Sequence, residues 1–128
     1  MTDARIAKLE LERASASLEA AELLARAGLH ADAVSRAYYA MFHAASALVA
    51  TIGRSARSHD GLRVLVADHF VRPGKLSPEL GRALARTAGD RADADYNVAA
   101  VISREAADDD IGLARSFLDA ARAVVEGG

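Results

Sequence analysis

Three short stretches of this chain hold the residue types that chemistry requires. In Ser35-Arg36-Ala37-Tyr38-Tyr39-Ala40-Met41-Phe42-His43-Ala44-Ala45, the residues Arg36, Tyr39, His43 and then Ser46 recur at spacings of three and four. On a helix that is one continuous stripe. A polar and aromatic line of this kind exceeds what core packing needs. Either it touches a neighbouring helix or a second subunit, or Tyr39 and His43 are part of a site. The second stretch is Asp90-Arg91-Ala92-Asp93-Ala94-Asp95-Tyr96-Asn97. Leu80, Leu84, Thr87, Arg91 and Asp95 fall on one helical stripe, so Arg91 and Asp95 extend an apolar line from the same side. A guanidinium offers planar, paired donors that match a phosphate. Tyr96 adds a ring that could stack on a base and a hydroxyl that could donate a proton or accept a modification. The alternative is an ion pair that merely closes a helix. In the third stretch, Arg54-Ser55-Ala56-Arg57-Ser58-His59-Asp60, two arginines precede a histidine. Histidine is suited to proton transfer near neutral pH, and the arginines could bind phosphate. His59 could equally open a helix, with Asp60 as a favourable early carboxylate.

Other chemistries find little support. The chain has no cysteine, which removes thiolate catalysis, disulfides and cysteine-ligated zinc, and suits a cytoplasmic location. His59-Asp60 resembles the metal pair of HD hydrolases, but the further ligands such a site needs are not arranged for it. No Glu-x-x-His pair of the di-iron bundle type occurs. Neither a metal nor a cofactor is expected. Asp108-Asp109-Asp110 reads as a solvated face near the start of a helix. The formal net charge of −2 supplies no general basic field for nucleic acid, although a local basic cleft remains open. The charged first residues do not read as a signal peptide, and no apolar run is long enough to span a membrane.

The elements that must position these residues are helices. With 128 residues, the chain suffices for one domain, 1–128, around one core. Ala7, Leu11, Ala14, Leu18, Ala21 and Ala25 mark a first helix from about Thr2 to Ala27, closed by Gly28. Val34, Tyr38, Met41, Ala45, Leu48 and Ile52 mark a second from about His30 to Ile52, closed by Gly53. The link between the two is so short that they must pack antiparallel. A shorter helix is expected over His59 to Val71, with Leu62, Val66 and Phe70 inward. Arg72-Pro73-Gly74-Lys75 is a turn by composition. Ser77-Pro78-Glu79 then opens a fourth helix that runs to about Asp95. Ser103 restarts the chain, and Ala107, Ile111, Ala114, Leu118, Ala121 and Val125 define a fifth. Nothing alternates with period two for long enough to be a strand. The fold class is therefore all-α, an antiparallel up-down bundle of four to five helices.

The string Ser-Arg-Ala-Tyr-Tyr-Ala-Met-Phe-His-Ala-Ala at 35–45 resembles the signature helix of small bacterial HEPN-domain proteins. Ser58-His59-Asp60-Gly61, Phe70-Val71 before Gly74-Lys75-Leu76, Arg91 through Asp95-Tyr96, and Ser103-Arg104-Glu105-Ala106-Ala107 follow in the family's order. The resemblance covers nearly the whole chain. It implies a homodimeric helical bundle of a toxin–antitoxin pair, with a minimal nucleotidyltransferase from a neighbouring gene as antitoxin partner. It further implies metal-independent RNA cleavage by an arginine followed, four to six residues later, by a histidine. Two copies of that motif meet across the dimer cleft. Arg91 matches the arginine, but Tyr96, preceded by Asp95, stands where the histidine is expected. Arg91, Asp95 and Tyr96 are thus the expected catalytic group, with His59, or else His43, as proton-transfer partner from another helix. Arg54, Arg57, Arg36, Tyr39 and His43 are the expected RNA- or nucleotide-binding residues. Where relatives have a tyrosine modified by the antitoxin, Tyr96 corresponds by position. Without the histidine, the alternative is a noncatalytic dimerisation and interaction module that partners the nucleotidyltransferase.

Overall fold

The computed structural model describes residues 3–127. Five helices follow in order, α1 (Ala4–Arg26), α2 (His30–Ala50), α3 (His59–Val66), α4 (Pro78–Tyr96) and α5 (Arg104–Gly127), with a π-helical turn over Ala67–Val71 continuing α3. Among the described residues there is no strand.

Local signals set the ends of these elements. Asp3 caps α1 by accepting a hydrogen bond from the Ile6 amide at 3.0 Å, so the helix begins at Ala4. The earlier expected start, Thr2, lies outside the described residues. Ser58, Ser77 and Ser103 cap α3, α4 and α5 through their hydroxyls. Gly28, Gly53 and Gly74 each take positive φ, and each closes a helix with paired 6→1 and 5→2 backbone bonds. At Gly53 those bonds run from Arg54 N to Val49 O and from Gly53 N to Ala50 O, both at 3.0 Å. They end α2 at Ala50, two residues before the expected Ile52, which falls in the turn. The third element also departs from expectation. After Val66 the chain widens, and Arg72 N reaches back five residues to Ala67 O at 2.9 Å. That turn keeps Phe70 in the core and sets Val71 against Gly81 of α4, where an added Cβ would lie 2.9 Å from Val71 Cγ2.

Side-chain pairs define the topology. Glu10 meets His43, so α1 and α2 are antiparallel. Tyr39 meets Arg91 and Ser35 meets Asp95, so α2 and α4 are antiparallel. Glu22 meets Arg115 and Ser15 meets Arg122, so α1 and α5 are antiparallel. The result is the expected up-down-up-down bundle, with α3 and its π turn inserted in the crossing from α2 to α4. Helix α2 is the central member and touches every other helix. Its alanines at 33, 37, 40, 44 and 47 are fully buried. A helix apolar on nearly every side is a buried one, and small side chains let its neighbours come close. No helix among the described residues is long and apolar enough to cross a membrane.

One acidic residue corrects the sequence reading. Asp108 and Asp109 are exposed, as a solvated face would be, but Asp110 is fully buried against α4. Neither of its carboxyl oxygens has an aligned hydrogen-bond partner. Burial pushes its pKa up to about 7, and the neighbouring Asp90 adds to the push while Arg86 opposes it. The folded state therefore holds this proton more tightly than the unfolded chain. The associated stability is present at low pH and is lost as pH rises from about 4 to about 7. Asp110→Asn should match the wild type in stability near pH 4. It should exceed it at pH 8 by on the order of 1–3 kcal/mol, read by urea unfolding at both pH values. An equal difference at the two pH values would exclude a neutral Asp110 in the fold.

Candidate active site between α2 and α4

The antiparallel register of α2 and α4 fixes what can meet between them. Going down α2 from Met41 through Tyr39 to Ser35 runs up α4 from Thr87 through Arg91 to Asp95. Thr87 is buried, and its hydroxyl donates to the Ala83 carbonyl at 3.0 Å, with Met41 Sδ at 3.3 Å. One turn further, Arg91 Nη2 donates to the Tyr39 hydroxyl at 2.6 Å. The next turn brings the Asp95 carboxylate to the Ser35 hydroxyl at 3.5 Å. Asp95 Oδ2 also lies 2.9 Å from Arg91 Nε, an ion pair by distance whose N–H is not aligned as a hydrogen bond.

This pair is not a surface contact. The Arg91 side chain is 17% exposed and that of Asp95 28%. The guanidinium carbon sits 5.8, 5.3 and 5.5 Å from the ring centres of Tyr38, Tyr39 and Tyr96. Cations favour the negative faces of such rings. Burial alone would ease the loss of the Arg91 proton, but the Tyr39 hydroxyl, Tyr96 and Asp95 outweigh it and hold the proton more firmly than usual. A fixed, charged, forked donor is what recognition or stabilisation of a phosphate requires.

The imidazole of His59 joins this group through a residue that sequence reasoning assigned only to the core. Tyr38 is buried, and its hydroxyl lies 2.7 Å from His59 Nδ1. Its ring centre is 5.4 Å from that of His59. The guanidinium and the imidazole thus both lie close to one tyrosine ring. Phe42 packs against both rings, its centre 5.0 Å from that of His59 and 6.3 Å from that of Tyr38. Burial pushes the Tyr38 pKa up to about 12, with Arg91 pulling weakly the other way, so the phenol keeps its proton at neutral pH. In the tautomer in which Nδ1–H donates to the phenol oxygen, Nε2 carries the free lone pair and is the ring nitrogen left to take a proton. A buried tyrosine hydroxyl normally has a polar partner, and that rule was the signal available in the sequence.

The remaining expected residues divide. Arg36 is exposed, with its guanidinium carbon 5.8 Å from the Tyr39 ring centre, so it extends the group outward. Tyr96 stands at the mouth, 74% exposed. Arg54 and Arg57 lie exposed in the loop that leads to His59. His43 turns instead toward α1, where Nδ1 lies 3.2 Å from Glu10. It packs beside Phe42 but has no hydrogen bond to the Arg91 group, because it lies one helical turn beyond Tyr39 toward the other end of α2.

Comparison with known proteins gives this geometry a context. A family model described as "HEPN domain" matches residues 7–124. A Thermotoga maritima protein named "UPF0332 protein" is 35% identical over 114 residues, 89% of this chain and 86% of its own length. Two Methanocaldococcus jannaschii proteins carry the name "putative toxin". One is 37% identical over 67% of this chain and 64% of its own length. The other is 34% identical over 77% and 67% respectively.

Replacing Tyr38 by phenylalanine keeps the ring and deletes the contact to His59. The variant should lose about 1 kcal/mol of stability and should move the His59 Nδ1 resonance in ring 15N NMR spectra. An Nδ1 resonance indifferent to the missing hydroxyl would show that the imidazole is held by other means.

Proposed function

The chain belongs to the HEPN domain family, and from that premise we infer that it is a toxin-like HEPN protein which binds RNA as a dimer and cleaves it without metal. The observation that carries this reading is the shared seat of Arg91 and His59 around Tyr38. A charged donor fork lies 5.8 Å from the ring centre, and an imidazole lies 2.7 Å from the hydroxyl of the same tyrosine. The names of the Methanocaldococcus jannaschii relatives agree with a toxin-like role.

The reaction follows from these groups. His59 Nε2 takes the proton of a ribose 2′-hydroxyl, and the oxygen attacks the adjacent phosphorus. Its bond to phosphorus forms as the bond to the 5′ oxygen breaks, which leaves a 2′,3′-cyclic phosphate and a 5′-hydroxyl end. The second copy of His59 in the dimer, as imidazolium, returns a proton to the leaving oxygen. Arg91 meets the negative charge that gathers on the phosphorane oxygens. Tyr39 and Asp95 hold the fork in place, Arg36 draws the strand in, and Tyr96 at the mouth offers a ring for a base. The attacking 2′-hydroxyl restricts the substrate to RNA.

Two features favour a second reading, a noncatalytic dimer that docks a minimal nucleotidyltransferase. Tyr96 occupies the position where the family motif has histidine, and Arg91 already has two partners.

Purified protein incubated with total RNA in EDTA distinguishes the two. Fragments with cyclic phosphate ends should appear, and Arg91→Ala or His59→Ala should slow their formation by about 10²-fold or more. Arg91→Lys, which keeps the charge but not the fork, should not restore the rate. RNA bound but left whole by the wild type would establish the noncatalytic reading in place of cleavage.

A further inference from the structure

The end of the bundle where α1 stops and α2 and α5 begin carries a second basic site, separate from the Arg91 group. A cavity of about 570 Å³ opens there. Two helices bring three guanidinium groups to it: Arg26 from the last turn of α1, Arg104 from the first residue of α5, and Arg115 from further along α5. His30, the first residue of α2, lines the same wall. Two carboxylates are present as well. Glu22 lies 3.4 Å from Arg115, and Asp108 lies 3.7 Å from Arg104. Both pairs are longer than a close ionic hydrogen bond, and both involve exposed arginines. Arg26 has no carboxylate within ion-pair distance among the described residues. The local balance is therefore positive, although the chain as a whole is acidic.

The backbone adds to that balance. The residue that precedes α2, Leu29, makes no side-chain capping bond, so the amides of its first turn lack the partner that serines give α3, α4 and α5. The starts of α2 and α5 both lie at this cavity, and each contributes partial positive charge. Ala25 and Ile111 supply apolar surface on the wall. The volume falls within the range of small-molecule sites, about 300–1,000 Å³.

We propose that this cavity binds the phosphate of a nucleotide unit through Arg26, Arg104 and Arg115. Resting on the RNA reading above, the unit is part of the strand that also reaches Arg91. His30 and Tyr39 are separated along α2 by roughly 13 Å at the rise of an α-helix, a span of a few nucleotides. The same chemistry would accept a free mononucleotide.

Backbone 1H–15N spectra with adenosine 5′-monophosphate or inorganic phosphate, and fluorescence anisotropy with a labelled 12-nucleotide RNA, test this. The variant is Arg26→Ala combined with Arg104→Ala, both on exposed side chains. The phosphate probes should move the amide signals of Gly28, His30 and Arg104. The double variant should weaken binding of the mononucleotide and the RNA by about fivefold or more, with a shallower salt dependence for the RNA. Loss of mononucleotide binding with unchanged RNA affinity would keep the phosphate site and assign it to the free nucleotide. Amide signals unmoved by either probe, with RNA affinity unchanged in the variant, would overturn the site. Arg91→Ala serves as the separate control. If RNA fails to bind the wild type while the phosphate probes still shift these amides, the RNA reading falls and the cavity stands.

Discussion

The hydrogen bond from Arg91 to the Tyr39 hydroxyl is the contact on which the functional architecture depends. It joins α2 to α4 at one register, with the Thr87 contact a turn away on one side and the Ser35–Asp95 contact a turn away on the other. A slip of either helix by one residue would take the guanidinium from the Tyr39 hydroxyl and the rings of Tyr38 and Tyr39, and Asp95 from Ser35. A charged group with little exposure is costly unless paired. Asp95 accompanies the cation on its own helix, and the register of α2 decides whether it also gains the Tyr39 hydroxyl.

Helix α2 can serve as the fixed rail because it is buried. Its alanines are buried among the neighbouring helices, while Met41 meets Thr87 of α4 and Tyr38 meets His59 of α3. The site is therefore built on the buried centre of the bundle, with Arg36 and Tyr96 exposed at its edge. His59 reaches it from a different direction. The loop after Gly53 returns the chain to the same seam, and Ser58 starts α3 so that the first imidazole of that helix lands on Tyr38. Arg91 of α4 and His59 of α3 thus come to one tyrosine from two different helices.

Much of this was legible in the sequence, for a definite reason. Helix ends depend on local chemistry, so Gly28, Gly53, Ser77-Pro78 and Ser103 were read as the structure has them. The shared stripe of Arg91 and Asp95 follows from helical spacing alone. Residues that answer to partners far along the chain were not legible. Tyr38 fell on the core stripe, and nothing local reveals that its hydroxyl meets His59 across 21 positions. His43 shares a stripe with Tyr39, but α1 offers it Glu10. Asp110 sits in a run of aspartates that looks uniformly solvated, and only the packing of α4 on α5 selects which one is buried. The π turn likewise answers to a tertiary demand, the approach of Gly81 to Val71.

The seating of Arg91 is measured most directly by a double-mutant cycle on stability, with Tyr39→Phe and Arg91→Ala singly and together. If the hydroxyl and the guanidinium hold each other as described, the two losses should fail to add by about 0.5–1.5 kcal/mol. Losses that add to within about 0.3 kcal/mol would mean that Arg91 is not held by Tyr39. The preorganised site would then have no basis.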